Sequence, residues 1–378
     1  MTRAHDILVI GAGMVGAACA LALREEGLDV ALLDAATPGA GVTAAGMGHV
    51  VVLDETPAEL ALCMLSRRLW QNFFAEHPGV GQPEMCGTLW VAEDEHQLAE
   101  AAGRAQRLAA RGCGAELLSG DQARRREPAL RRGVAGGLLV REDSVVYPPA
   151  VASFLVQRLE SLGASVYMDA RVRAIGTGEV TLADGGSIKA GAIVVATGAE
   201  VAALLPEVPV FGRKGHLAIT DRYPGMLSHQ VVSMAYGQAA SGPDALAVAA
   251  NVQPRGTGQW LIGSSRQEGQ TDNNVDPLVL GALLRAAIGL LPCLGQMNIV
   301  RAWTGMRPAS PDGLPLIGAH PSRPGVWLAC GHEGLGVTMA FATARLLTDH
   351  MTGRASPIDT SAYLPRRFPL IERHAYAR

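Results

Sequence analysis

The stretch Asp6-Ile7-Leu8-Val9-Ile10-Gly11-Ala12-Gly13-Met14-Val15-Gly16 decides the fold. An apolar run rich in β-branched residues enters a Gly-x-Gly-x-x-Gly turn. An alanine-rich segment, Ala17 to Arg24, follows with helical character, then Gly27, then a second apolar run from Val30 to Leu33 that ends in Asp34. The order is strand, glycine turn, helix, strand, carboxylate, which is the dinucleotide-binding unit. Gly11 permits the tight turn, Gly13 lets a pyrophosphate reach the backbone, and Gly16 lets the helix lie close to the strand. Met14 and Val15 open that helix, whose N-terminus offers unpaired N–H groups and the positive end of its dipole to phosphates. Asp34 stands where a carboxylate accepts hydrogen bonds from ribose hydroxyls. An acid there disfavours a 2′-phosphate and hence NADP, leaving FAD and NAD open.

Composition sets the outer bounds. A chain of 378 residues can build two domains with sizeable cores. Its 32 basic and 35 acidic residues leave a net charge of −3, which excludes a typical nucleic-acid binder. The arginine runs 124–126 and 131–132 are punctuated by acids and read as a solvated face. The six cysteines (Cys19, Cys63, Cys86, Cys113, Cys293 and Cys330) form no Cys-x-x-Cys pair, so no iron–sulfur or zinc site is expected. Scattered thiols fit a reducing compartment. The apolar stretch from Ala190 to Leu205 holds Gly198 and Glu200 and is too short to span a bilayer. The expectation is a cytoplasmic protein without a membrane span.

Working outward, residues 37–49 are dominated by small side chains, including Ala44, Ala45, Gly46, Met47 and His49. Such a loop either lays its backbone against something large and flat or is a surface linker; the apolar run Val50–Leu53 that follows would anchor it. Helices are predicted over Leu60–Phe74, Glu93–Arg111, Leu117–Pro128 and Ala150–Leu162. Strands are predicted over Cys86–Val91, Gly136–Val140, Ser165–Asp169 and Arg171–Ile175, the last including Val172. Ala183-Asp184-Gly185-Gly186 signals a hairpin. A buried strand then ends in Ala196-Thr197-Gly198, and residues 210–265 are β-rich. Near the C-terminus, strand Val326–Cys330 runs into Gly331-His332-Glu333-Gly334-Leu335-Gly336-Val337-Thr338, which opens a helix to His350. This second strand–glycine loop–helix unit could present its helix N-terminus to a partly negative group.

The fold class expected is α/β: a Rossmann-like dinucleotide-binding domain whose N-terminal, middle and C-terminal segments share one sheet, with a β-rich second domain. The division is discontinuous, with residues 1–85, 145–207 and 300–378 in the cofactor domain and 86–144 and 208–299 in the substrate domain.

Five motifs stand in order along nearly the whole chain. They are the N-terminal glycine motif, Ala45-Gly46-Met47, Ala196-Thr197-Gly198, Gly305-Met306-Arg307-Pro308 and Gly331-His332-Glu333-Gly334-Leu335-Gly336. Together they resemble the D-amino-acid oxidase/glycine oxidase family of FAD enzymes. The stretches Arg213–Gly225 and Leu261–Arg266 are similar to the flavin (β) subunits of D-hydroxyproline dehydrogenase, opine oxidase and hydrogen cyanide synthase. The resemblance implies a Rossmann-like FAD-binding domain and a smaller α+β substrate domain whose antiparallel sheet lies over the flavin. It implies bound FAD, with FMN at a subunit interface and partner subunits as further features of the heteromeric relatives. It implies oxidation of a D-amino or cyclic imino acid, D-hydroxyproline or a D-proline-like compound first, by hydride transfer from substrate Cα to flavin N5. A glycine oxidase, hydrogen cyanide synthase or opine oxidase-like subunit, or an electron-relay subunit, is the alternative.

By that resemblance Arg307 grips the substrate α-carboxylate bidentately; otherwise it is a structural arginine paired with Asp312. Tyr236 falls where relatives place an active-site tyrosine, and would otherwise be a core aromatic with a wet tip. Met47 and His49 would line the pocket. Glu333 would bind a flavin ring nitrogen or the substrate amine, or cap the helix. Relatives often carry a second arginine in the Gly-His loop; this chain has Gly334 there, which puts carboxylate binding on Arg307 and Tyr236. Gly237-Gln238-Ala239-Ala240-Ser241 stands where the heteromeric subunits are expected to have a lysine and a histidine.

Overall fold

The computed structural model describes residues 4–235 and 246–368. Two eight-stranded sheets organise them. The first is parallel at its centre: His5–Ile10 lies between Val30–Leu33 and Ser187–Val195, and Val326–Cys330 and Ser165–Tyr167 extend the two sides. Its strands are buried on both faces, as a covered parallel sheet requires. Along His5–Ile10 the period of two is visible in the packing. Ile7 and Val9 enter one core cluster, and Leu8 and Ile10 enter another on the opposite face.

The first of those clusters is closed by four helices, Met14–Glu25, Pro57–Glu76, Pro148–Ser161 and Gly336–Thr352. Alanines 17, 18, 20, 340, 342 and 344 keep the contact surfaces of the first and last thin, so those two approach closely. Trp70 is fully buried there, and its indole N–H donates to the carbonyls of Val337 (3.1 Å) and Thr338 (3.2 Å). Helix Pro57–Glu76 begins a turn earlier than the apolar periodicity predicts. Thr56 accepts from the Glu59 N–H at 3.0 Å and Pro57 occupies the first position, a sequence-coded start. The helix predicted over Leu117–Pro128 is shorter, spanning Gly120–Arg126. Residues 115–119 are recruited as a strand, and Ser119 with Gln122 forms a capping box at the junction.

The second sheet is antiparallel except where Gln230–Ser233 runs parallel to Thr88–Ala92. Its order runs Ile299–Ala309, Phe211–Arg222, Gln259–Gln267, Leu246–Pro254, Gln230–Ser233, Thr88–Ala92, Gly136–Val140 and Ala115–Ser119. Helix Pro277–Leu290 covers one face through Leu283, Ala287 and Leu290 against Val252, Trp260 and Ile262. The strand Ile299–Ala309 pairs with Phe211–Arg222 from Ile299 opposite Thr220 to Ala309 opposite Phe211. Residues 300–309, assigned from sequence to the cofactor segments, are therefore hydrogen-bonded into the second sheet.

The other face of the second sheet meets the first unit. The Trp303 indole donates to the carbonyl of Ala45 (3.2 Å), and at Gly305 a Cβ would come within 2.8 Å of the Ala45 Cβ. Met47, Leu217 and Leu261 form a small apolar cluster at this seam. Among the described residues no helix is long and apolar enough to cross a membrane.

Candidate active site at the seam between the sheets

A cavity of about 770 Å³ opens at the carboxyl ends of the parallel strands, large enough for an extended cofactor. Gly11, Gly13, Met14, Val15, Asp34, Ala45, Gly46, Met47, Val172, Ala196, Thr197, Gly198, Gly334, Gly336 and Val337, all expected from sequence, line it. So do residues that no motif indicated, among them Arg171, Glu200, Asn273 and Thr304. Gly11 has φ +108°, and a Cβ there would sit 2.5 Å from the Ala196 carbonyl oxygen. Gly16 does not reach the cavity. A Cβ on it would stand 1.8 Å from the Gly11 oxygen, so its role is the close approach of helix to turn. Helix Met14–Glu25 has no side-chain cap at Gly13 and no acid in its first turn, and the Met14 N–H is bound by Thr43 Oγ1 (3.1 Å). Asp34 lines the cavity while its carboxylate accepts from the N–H groups of Ala12 (2.5 Å) and Ala36 (2.8 Å). The acid therefore shapes the turn from the cavity wall.

The small-residue loop is an ordered wall of this cavity, not a linker. The Arg255 guanidinium donates to the carbonyls of Met47 and Val146, and burial pulls its pKa down to about 10. Ala44 does not line the cavity. From the other end of the chain, helix Gly336–Thr352 starts after one 3-10 turn, Glu333–Leu335, with no side-chain cap. The Thr338 hydroxyl is spent on the backbone: it donates to the His49 carbonyl (2.8 Å) and accepts from the Val51 N–H (3.4 Å). It fastens the segment from His49 to Val51 to the helix rather than lining the cavity.

A smaller chamber of about 100 Å³ adjoins the cavity over the second sheet. His49, Ser264, Arg307, His332, Glu333 and Gly334 line both spaces. Leu335, expected at the cofactor, lines the chamber instead. Arg307 projects from strand Ile299–Ala309 across Gly215 on the neighbouring strand. A Cβ at Gly215 would meet its guanidinium atoms at 2.7–2.8 Å. Nη1 donates to the Ser265 carbonyl at 2.8 Å. The alternative pairing with Asp312 is ruled out, because that carboxylate is bound by Arg367 at 2.7 and 3.0 Å.

His49 Nε2 lies 3.1 Å from the Gly334 carbonyl, which can only accept, so this nitrogen carries the proton. Burial lowers the His49 pKa to about 4, making it a neutral ring at pH 7. Glu333 sits in the left-handed region (φ 47°) and accepts from Arg213 Nη1 at 3.0 Å; Arg213 also binds Glu268 at 2.7 Å. Glu333 thus ties the helix mouth to the second sheet rather than capping the helix. Tyr236 lies outside the described residues.

Sequence reasoning assigned no role to Gly215, Arg266, Gln230, Asn251, Glu55 or Glu59. The last five line the chamber. Arg266 and Gly215 stand inside stretches that carried the family resemblance, and nothing in their spacing marks them out. Glu55 and Glu59 flank the start of helix Pro57–Glu76, ahead of the apolar periodicity that begins at Leu60.

The profile of the FAD-dependent oxidoreductase (DAO) family matches residues 6–350. The chain belongs to this family. Glycine oxidase from Geobacillus kaustophilus is 27% identical over 96% of this chain and 97% of its own. Its crystal structure superposes with a TM-score of 0.87 at 26% identity, covering 97% of this chain and all of that one. Glycine oxidase of Pseudomonas aeruginosa is 30% identical over 95% and 98% of the two chains. The hydrogen cyanide synthase subunit HcnC of the same organism is 26% identical over 97% of both.

The protein is an FAD-dependent oxidoreductase with the α/β fold of the family. The residues fit FAD: Gly11, Gly13, Met14 and Val15, Asp34, the loop 45–48, Val172 and Thr197-Gly198 follow one continuous cavity. The second helix mouth at 334–337 ends it beside the chamber.

Proposed function

We propose that the chamber holds an α-amino or cyclic imino acid by its carboxylate at Arg307, with the bond to be oxidised facing the FAD. One observation carries the reading: the Arg307 guanidinium lines the cofactor cavity and the chamber at once, braced by the Ser265 carbonyl. A planar guanidinium so placed binds a carboxylate bidentately and orients the α-carbon beside it. Bound FAD supplies the two-electron acceptor as the C–N single bond becomes C=N. The chain's own contribution is orientation in a preformed pocket. His49 stays uncharged, Met47 closes the seam, and Glu333 is held by Arg213 away from proton transfer. That the related glycine oxidases and HcnC act in the same family supports an amino-acid substrate, with D-hydroxyproline and D-proline among the compounds to try. Partner subunits, as in the HcnC system, belong to the same proposal.

The test is anaerobic titration of the purified holoenzyme with glycine and a panel of D- and L-amino and imino acids, following flavin absorbance. Bleaching by any of them supports the reading, and admitting air then separates oxidase from dehydrogenase. A flavin that dithionite reduces and no panel member does refutes it.

A further inference from the structure

Beyond Ser265, where the Arg307 guanidinium is braced, the next three strands of the second sheet each give the chamber one polar side chain. They are Asn251 on Leu246–Pro254, Gln230 on Gln230–Ser233 and Trp90 on Thr88–Ala92. The alternate residues Leu89, Val231, Ala250 and Val252 pack into the core under helix Pro277–Leu290. The period of two therefore puts Trp90, Gln230 and Asn251 on the opposite face. Trp90 and Asn251 flank Val232 across the ladder, and the Arg104 guanidinium stacks 4.0 Å over the Trp90 ring and holds it in place.

All three are nearly covered, at 5% exposure for Trp90, 2% for Gln230 and 4% for Asn251. Trp90 Nε1, Gln230 Oε1 and Asn251 Oδ1 have no hydrogen-bond partner among the described residues. The indole N–H can only donate, while each amide can accept through its oxygen and donate through its nitrogen. Native structures pair nearly all such buried groups, so three around one small space call for a partner from outside the chain. The charged groups of the chamber, by contrast, offset one another. Glu333 is held by Arg213. Burial and the Glu333 charge raise the Glu55 pKa, while Arg104 and Arg266 draw it down. With both signs on the wall, a charged substituent gains no clear partner, whereas an uncharged one meets the three groups that lack theirs.

We infer that Gln230 and Asn251, with the Trp90 N–H beside them, are the specificity-determining residues of this chamber and bind an uncharged hydrogen-bonding group on the substrate, a hydroxyl or a carboxamide, while Arg307 holds the α-carboxylate. The substrate class is an amino or imino acid whose side chain or ring carries such a group. This rests on the reading of the site as an amino-acid-oxidising one. A site built to pair such a group rejects the analogue without it, because its own buried groups are then left unpaired.

The experiment compares matched pairs, in both hands, in the anaerobic reduction of the holoenzyme: serine against 2-aminobutyrate, threonine against valine, 4-hydroxyproline against proline, and asparagine against leucine. The expected result is a kcat/KM at least about 10-fold higher for the polar member of one pair. The first three pairs report a hydroxyl and the last a carboxamide. Gln230→Met and Asn251→Leu keep the volume and remove the hydrogen-bonding atoms, and each should lower that ratio about 10-fold. Neither should lower the unfolding temperature of the substrate-free holoenzyme, since no partner within the chain is lost. A wild-type ratio below about threefold in every pair overturns the inference. So does an equal loss on both members in the variants, or a lowered unfolding temperature, either of which makes the amides structural. If no member of any pair bleaches a flavin that dithionite reduces, the amino-acid reading falls and the inference with it. Reduction by the apolar members alone removes only the inference.

Discussion

Gly215→Ala tests the placement of Arg307 without touching the arginine. Gly215 lies in an extended strand with no left-handed φ, so its backbone accepts alanine. The added Cβ would stand 2.7 Å from Nη1 and 2.8 Å from Cζ and Nη2 of Arg307, where ordinary contact begins near 3.4 Å. The guanidinium, the far end of a flexible side chain, must move by about 0.7 Å to relieve the overlap. The fold absorbs this cheaply, and a strand alanine in place of glycine offsets part of the cost. Catalysis does not absorb it, because a misplacement of about 1 Å in a positioning group costs on the order of 100-fold. The expected loss in kcat/KM for flavin reduction is therefore about 10- to 100-fold, or 1.4 to 2.7 kcal/mol. FAD content and unfolding temperature should stay close to those of the parent. The assay is stopped-flow reduction under anaerobic conditions beside a thermal melt. A kcat/KM within about threefold of the parent, with FAD bound, would refute the argument that Arg307 orients the substrate from across Gly215.

Three further outcomes follow from the geometry. Gly16→Val places a Cβ 1.8 Å from the Gly11 oxygen, backbone against backbone, and should yield protein without FAD or no folded protein; flavin content per chain reads this directly. Asp34→Ala removes the acceptor for the Ala12 and Ala36 N–H groups and should weaken FAD binding about 10- to 100-fold, measured by fluorescence titration of the apoprotein. His332 is buried at 3% exposure, with Nε2 bonded to Thr343 Oγ1 at 2.9 Å, and burial lowers its pKa from 6.5 to about 3. The unfolded chain therefore takes up this proton first. The stability is fully present above pH 6.5 and is lost as pH falls toward 3. Between pH 6.5 and 5 the wild type should lose roughly 2 kcal/mol more than His332→Gln in denaturant unfolding; equal losses would contradict a buried neutral ring.

Much of the cofactor half of this site can be read locally. Gly11, Gly13 and Gly16 each answer a steric demand within a few residues of chain, and Asp34 lies one strand away. The caps Thr56, Ser119 and Asp276 are likewise local, each accepting from an N–H in the first turn of its own helix. Where local pattern misled, a longer-range demand intervened. Leu117 and its neighbours follow the helical period but complete the edge of the second sheet beside Gly136–Val140. Residues 300–309 follow the cofactor-domain motifs in sequence, but their ladder partner is Phe211–Arg222. Thr338 stands at the mouth of a helix that resembles a cofactor site, and the His49 carbonyl captures its hydroxyl.

The sequence by itself determined the dinucleotide-binding unit, the α/β class and the family, because those depend on backbone geometry coded by glycines, caps and period-two burial over short spans. The chamber beside the cofactor cavity was decided only by tertiary structure. Arg307, Gly215, Ser265, Arg266, Asn251 and Glu59 are drawn from five separate segments, and their chemistry exists only where the antiparallel sheet closes over the end of the parallel one. Side-chain identity names the groups available; the long-range pairing of strands determines which of them share one small volume.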